Sequence, residues 1–112
     1  MASEPERIGA RARKALEEGD EPAVVSAVNV WEVAIKRRLG KLDAPPDLLA
    51  QLERAGVDLL PVTARHGDRV GALPMHHRDP FDRLLIAQAE VDGLTLVTGD
   101  AEIAKYEIQT LW

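Results

Sequence analysis

The chain has 112 residues, 46% of them hydrophobic, and a formal net charge of −5, which allows one small domain with a modest core and argues against disorder. Without a cysteine it has no disulfide, no thiolate zinc site and no cysteine nucleophile. No apolar run approaches a membrane span, and the charged start Met1–Arg7 lacks the apolar stretch of a signal peptide, so a cytoplasmic protein without membrane contact is expected.

From Pro5 to Glu18 the spacing is helical, with Ile8, Ala12, Ala15 and Leu16 recurring among Arg and Glu. Gly19-Asp20-Glu21-Pro22 breaks it, and Ala23-Val24-Val25-Ser26-Ala27 reads as a short buried strand. Ser26 suits the cap of a helix from about Val28 to Leu39 that stops at Gly40, with Val28, Trp31, Ile35 and Leu39 as its apolar stripe. Ala44-Pro45-Pro46 opens a further helix ending at Gly56, with Leu48, Leu49 and Leu52 inward. Val57 to Val62 is another strand, and Thr63 caps a short helix toward Leu73. Pro74 to Arg78 is a loop. Asp79-Pro80 starts a strongly helical stretch through Glu90, closed by Asp92-Gly93. Leu94 to Thr98 is the clearest strand, Ala101 to Lys105 a short helix and Ile108 to Leu111 a final strand. Strands alternating with helices predict one α/β domain over residues 1–112 with a mainly parallel sheet.

An acidic chain is an unusual nucleic-acid binder on composition alone. Enzymes that hold metal ions with carboxylates escape this objection, because the cation neutralises the acids gathered at the site. In open α/β sheets sites lie outside the carboxyl ends of the strands. Glu32 lies about one turn past the Val24-Val25 strand, Asp100 follows the Leu94–Thr98 strand, and Asp79 and Asp82 begin the helix that feeds into it. These carboxylates are therefore expected on one rim. Like charges so placed repel, and a divalent cation, Mg²⁺ or Mn²⁺, is the simplest way to hold them ionised.

Each acid also has a plain structural role. Asp79 suits an N-cap before Pro80, Asp82 complements the helix dipole, and Asp100 suits a cap before Ala101. Glu32 sits among apolar neighbours and needs a partner, for which Lys36 and Arg83 are candidates. His76-His77 has no Cys or third well-spaced His to complete a tetrahedral site, so a loop with incidental polar contacts is the simpler reading. Lys36-Arg37-Arg38, continued by Lys41, reads as a solvated helix face that also suits phosphates. Trp31 and Phe81 read as core rather than base-stacking platforms. Nucleophilic triads and phosphate-cradling glycine loops are absent.

The stretch Ser26-Ala27-Val28-Asn29-Val30-Trp31-Glu32-Val33-Ala34-Ile35-Lys36, with Leu39-Gly40-Lys41-Leu42, resembles the second motif of VapC-type PIN-domain toxins. The stretch from His76 to Ala89, with Asp79-Pro80-Phe81-Asp82-Arg83 at its centre, resembles the third. Leu94-Thr95-Leu96-Val97-Thr98-Gly99-Asp100 resembles the fourth, so the likeness runs from about Glu6 to Trp112. The resemblance implies a PIN-like, Rossmann-like three-layer sandwich. It also implies a small endoribonuclease of a bacterial type II toxin–antitoxin system, using Mg²⁺ or Mn²⁺ to activate water against an RNA phosphodiester.

A homodimer is implied as well, and a VapB-like antitoxin whose C-terminal segment lies across the active-site groove. By matching motifs, Glu32, Asp82 and Asp100 take the catalytic, metal-holding role, with Asp79 secondary. Lys36, Arg37 and Arg83 are candidate RNA contacts. Members of the family open with an apolar strand ending in Asp, central in the sheet. That first central strand and its Asp are missing from the residues here, so this chain alone is expected to cleave poorly. Two other readings stay open: a non-catalytic PIN-like remnant that binds a dimer partner or antitoxin, and another small metal-dependent phosphohydrolase.

Overall fold

The computed structural model describes residues 10–18, 24–98 and 100–112. Helix α1 spans Ala10–Glu18; the expected helix start before it, the break at 19–22 and Ala23 lie outside the described residues. Strand β1 (Val24–Ser26) runs directly into helix α2 (Ala27–Arg38). Ser26 makes that junction possible. Its hydroxyl accepts the Val28 N–H at 3.0 Å while its own N–H donates to Asn29 Oδ1 at 3.2 Å, so strand end and helix start satisfy each other reciprocally.

The predicted apolar stripe of α2 divides. Val28 is buried, but Trp31 and Leu39 are 55% and 62% exposed, so neither belongs to the core as expected. Trp31 meets Phe81 edge to face, with ring centroids 4.8 Å apart. Gly40 ends the helix at φ +72°, and the Lys41 N–H returns to Lys36 O at 2.9 Å.

Helix α3 (Leu48–Arg54) begins later than expected and buries no residue, with Leu49 exposed. A proline disfavours helical backbone in the residue before it, and the Pro45-Pro46 pair applies that restriction twice. Strand β2 (Asp58–Leu60) pairs in parallel with β1, Val24 opposite Asp58 and Ser26 opposite Leu60. Thr63 caps helix α4 (Ala64–Val70), and buried His66 accepts the Thr63 N–H through Nδ1 at 3.0 Å.

Helix α5 (Pro80–Asp92) is the spine of the core. Leu85, Ile86, Ala87 and Ala89 are buried with Val28, Leu73, Leu96, Ile103 and Tyr106. His66 Nε2, 2.9 Å from Asp92 Oδ2, ties α4 to the end of α5. Buried Gln88 accepts the Ser26 hydroxyl at 2.5 Å and donates to Pro61 O at 3.3 Å, which fastens the end of β1 and the exit from β2 to this helix.

Gly93 closes α5 in the left-handed region at φ +66°, with the Leu94 N–H on Ala89 O at 2.9 Å. A Cβ there meets no atom within 4 Å, so the cost of a side chain is purely that of the backbone. Gly93→Ala is expected to lose about 1 kcal/mol, or roughly 4–8 °C of melting temperature. An unchanged thermal midpoint would contradict the left-handed requirement.

The same closure shortens the next strand. Because the Leu94 N–H is held by Ala89 O, strand β3 is only Leu96–Val97 rather than Leu94 to Thr98. It pairs in parallel with strand β4 (Thr110–Leu111). The expected short helix between them is a 3₁₀ turn over Ile103–Lys105. Helices and parallel strands are thus present as an α/β chain requires. Among the described residues, however, the strands form two two-stranded ladders, β1–β2 and β3–β4, rather than one sheet. No described helix is long and apolar enough to cross a membrane.

Candidate metal centre

Side chains from three segments meet at one point: His77 from the loop before α5, Asp82 from the first turn of α5, and Asp100 after β3. His77 Nε2 lies 3.0 Å from Asp100 Oδ2 and 3.3 Å from Asp82 Oδ2. One ligand atom from each residue lies within 4.8 Å of the others.

Local chemistry explains both carboxylates. Asp79 Oδ1 accepts the N–H groups of Phe81 at 2.8 Å and Asp82 at 3.1 Å, with Pro80 as the first helical residue. This cap fixes the first turn and with it the direction of Asp82. Asp79 itself is engaged as the cap. Asp100 donates its N–H to Thr98 Oγ1 at 3.1 Å and accepts the Glu102 N–H on Oδ1 at 2.8 Å, which leaves Oδ2 toward His77.

The two carboxyls are driven in opposite directions. Burial, followed by the like charge of Asp79, pushes Asp82 up to about 6; Glu32 and Asp100 add to the rise, and His77 opposes it. Burial also acts to raise Asp100, but the Glu102 N–H, the His77 hydrogen bond and charge and the Ile103 N–H outweigh it. They hold Asp100 below the usual carboxylate range. Glu32 acts on this group through its charge. Its side chain is 12% exposed and pairs with Lys36 Nζ at 2.9 Å, the i,i+4 partner expected from the sequence.

Other residues stand where the sequence did not place them. Arg83 is buried and is neither the partner of Glu32 nor an available RNA contact. Its Nη1 donates to Pro74 O at 3.0 Å, His77 O at 3.3 Å and the Tyr106 hydroxyl at 3.4 Å. Its Nη2 donates to Val70 O at 2.9 Å and Leu73 O at 3.4 Å. Carbonyl dipoles, rather than solvent or phosphate, satisfy this guanidinium. The other two basic candidates lie on exposed α2, where Arg37 Nη1 donates to Pro45 O at 3.0 Å and Lys36 holds Glu32.

His77, read from the sequence as an incidental loop residue, is only 14% exposed at its side chain and touches both carboxylates. The one sequence signal for it is its place two residues before the Asp79 cap, where its ring reaches back over the helix start. There Nδ1 accepts the Asp79 N–H at 3.1 Å.

This donor set suits a hard divalent cation. Two carboxylates converge, and the proton affinity of Asp82 is raised by burial and then by the negative charge of Asp79, Glu32 and Asp100, which a cation would offset. A family model described as PIN domain matches residues 2–109. No curated protein matches the sequence. The chain belongs to the PIN-domain family, whose members are generally metal-dependent nucleases acting on nucleic acids.

Proposed function

We propose, with PIN-domain membership as the premise, that this chain is a metal-dependent endoribonuclease. In the same proposal it is the toxin of a type II toxin–antitoxin system, cytoplasmic, homodimeric and restrained by a VapB-like antitoxin. The observation that carries the catalytic part is the convergence of Asp82 and Asp100 where Asp82 is pushed up to about 6. The toxin–antitoxin part rests on the motifs Ser26 to Leu42, His76 to Ala89 and Leu94 to Asp100. In this reading the whole of 1–112 is one PIN unit, and its two ladders belong to one mainly parallel sheet of a three-layer sandwich.

Asp82, Asp100 and Glu32 would hold Mg²⁺ or Mn²⁺, with Asp79 secondary. The bound ion supplies an activated water and offsets charge developing on the phosphate. Asp100, ionised across the neutral range by its hydrogen bonds, anchors the site. Asp82, pushed up to about 6, would hold the cation in its ionised form, whose unfavourable charge the ion would offset. Glu32 adds charge from α2, and the Lys36–Arg37 end of that helix offers positive charge to the RNA backbone.

Mn²⁺ titration by calorimetry, paired with cleavage of single-stranded RNA with Mn²⁺ or EDTA, tests this. One bound Mn²⁺, and RNA cleavage that is slow but seen only with the metal, are expected. Metal-independent cleavage, or no Mn²⁺ binding, would overturn the reading. Two carboxylates rather than four meet in the described cluster, which favours as second reading a PIN-like remnant that binds without cutting. Mn²⁺ binding with no RNA cleavage would point to it.

A further inference from the structure

We propose that His77 is a positioning residue of this metal centre and not one of its ligands: its Nε2–H is shared between Asp82 and Asp100, leaving the remaining lone pairs of both carboxylates to the cation. The inference rests on the metal-centre reading above and adds a role for a residue outside the carboxylate set.

A neutral imidazole has one donor nitrogen and one acceptor nitrogen, and the partner of one decides the other. His77 Nδ1 stands 3.1 Å from the backbone N of Asp79. A backbone N–H only donates, so Nδ1 is the acceptor and the proton sits on Nε2. That proton faces Asp100 Oδ2 at 3.0 Å and Asp82 Oδ2 at 3.3 Å, where one donor lies between two like charges that otherwise repel. Binding a cation through Nε2 would need its lone pair free and the proton moved to Nδ1. Two hydrogens would then oppose each other across the 3.1 Å contact with Asp79. The tautomer that makes His77 a ligand is the one its surroundings reject.

The ring has little freedom to escape this. The His77 N–H donates to the Tyr106 hydroxyl at 3.0 Å, and its carbonyl accepts from Arg83 Nη1 at 3.3 Å. Both holding groups are themselves fixed. Tyr106 and Arg83 are buried and converge on Pro74 O, at 2.7 Å and 3.0 Å. The loop that carries His77 is therefore clamped from the core side, while Asp79, the cap that aims Asp82, also sets the tautomer of the ring that steadies it.

Ring ¹⁵N spectra of the chain, metal-free and with saturating Mg²⁺, read the tautomer directly. Protonated Nε2 and unprotonated Nδ1 are expected in both states. A proton moved to Nδ1 on adding Mg²⁺ would make His77 a ligand and overturn the proposal. Mn²⁺ affinity supplies the second measurement, with melting curves to compare folding. His77→Gln keeps a donor and is expected to bind within about threefold of the wild type, whereas His77→Ala is expected to lose about tenfold or more, the scale of an outer-shell residue. Retained binding in His77→Asp with loss in His77→Gln would reverse the assignment. No Mn²⁺ binding by the wild-type chain would sink the metal-centre reading, and this role with it; a metal-driven tautomer change would sink the His77 role alone.

Discussion

Asp82→Asn is expected to abolish metal-dependent RNA cleavage and, in the metal-free protein at pH 7, to raise the melting temperature. The two effects share one cause. Asp82 is pushed up to about 6 from an ordinary 3.8, so the folded state holds this proton more tightly than the unfolded chain. The stabilisation from that proton is full below about 3.8 and is lost as pH rises through about 6. At pH 7 the metal-free protein therefore carries an unfavourable buried charge that Asn, nearly the same shape, does not. With allowance for solvent at a side chain 18% exposed, the gain is on the order of 1–2 kcal/mol. Cleavage should fall by at least about 100-fold, the upper end for outer-shell changes and a lower bound for a ligand.

The sign reverses at Asp100. Its carboxyl is held below the usual range, so it contributes stability above its unfolded value that is lost as pH falls through the lower folded one. Asp100→Asn should therefore lower the melting temperature at pH 7 while also removing cleavage. Thermal melts of both variants without metal, from pH 4 to 8, check the pair. A destabilised Asp82→Asn would show that the carboxyl is not under the strain described. In the wild type Mn²⁺ affinity should weaken below about pH 6, where a proton competes for Asp82.

Arg83→Lys should cost at least about 3 kcal/mol in denaturant unfolding. The Arg fork reaches Val70, Leu73, Pro74 and His77 carbonyls at once, and an ammonium on a flexible stem cannot. Each buried acceptor left without a donor costs about 1–3 kcal/mol. Because the same fork holds His77 O, the variant should also bind Mn²⁺ more weakly in proportion as the loop loosens. Near wild-type stability would mean that other donors serve these carbonyls.

What could be read in the sequence was what neighbours in sequence decide. The caps at Ser26, Thr63 and Asp79 and the stops at Gly40 and Gly93 follow from side chains and φ values within a few residues. The rule of strand ends likewise directed attention to Asp82 and Asp100, which the structure brings together. The misreadings of site residues turned on partners farther along the chain. Arg83 reads as a partner for Glu32 or for RNA because its four carbonyls lie 6 to 13 residues back along the chain. His77 looked idle because Asp100 is 23 residues away. Trp31 fitted the helix stripe, but periodicity alone does not say whether a neighbour covers the stripe. β3 lost its first residues to a hydrogen bond made by the preceding helix.

Asp79 joins tasks that need not change together. Asn or Ser at that position would still accept the N–H groups that open α5. Neither would carry the charge that is second only to burial in raising Asp82. In evolutionary terms the position is a dial. A lineage that drifts from Asp to Asn there would keep its helix start while lowering the pH at which the site begins to take up metal, so that the working pH moves through the residue that caps the helix.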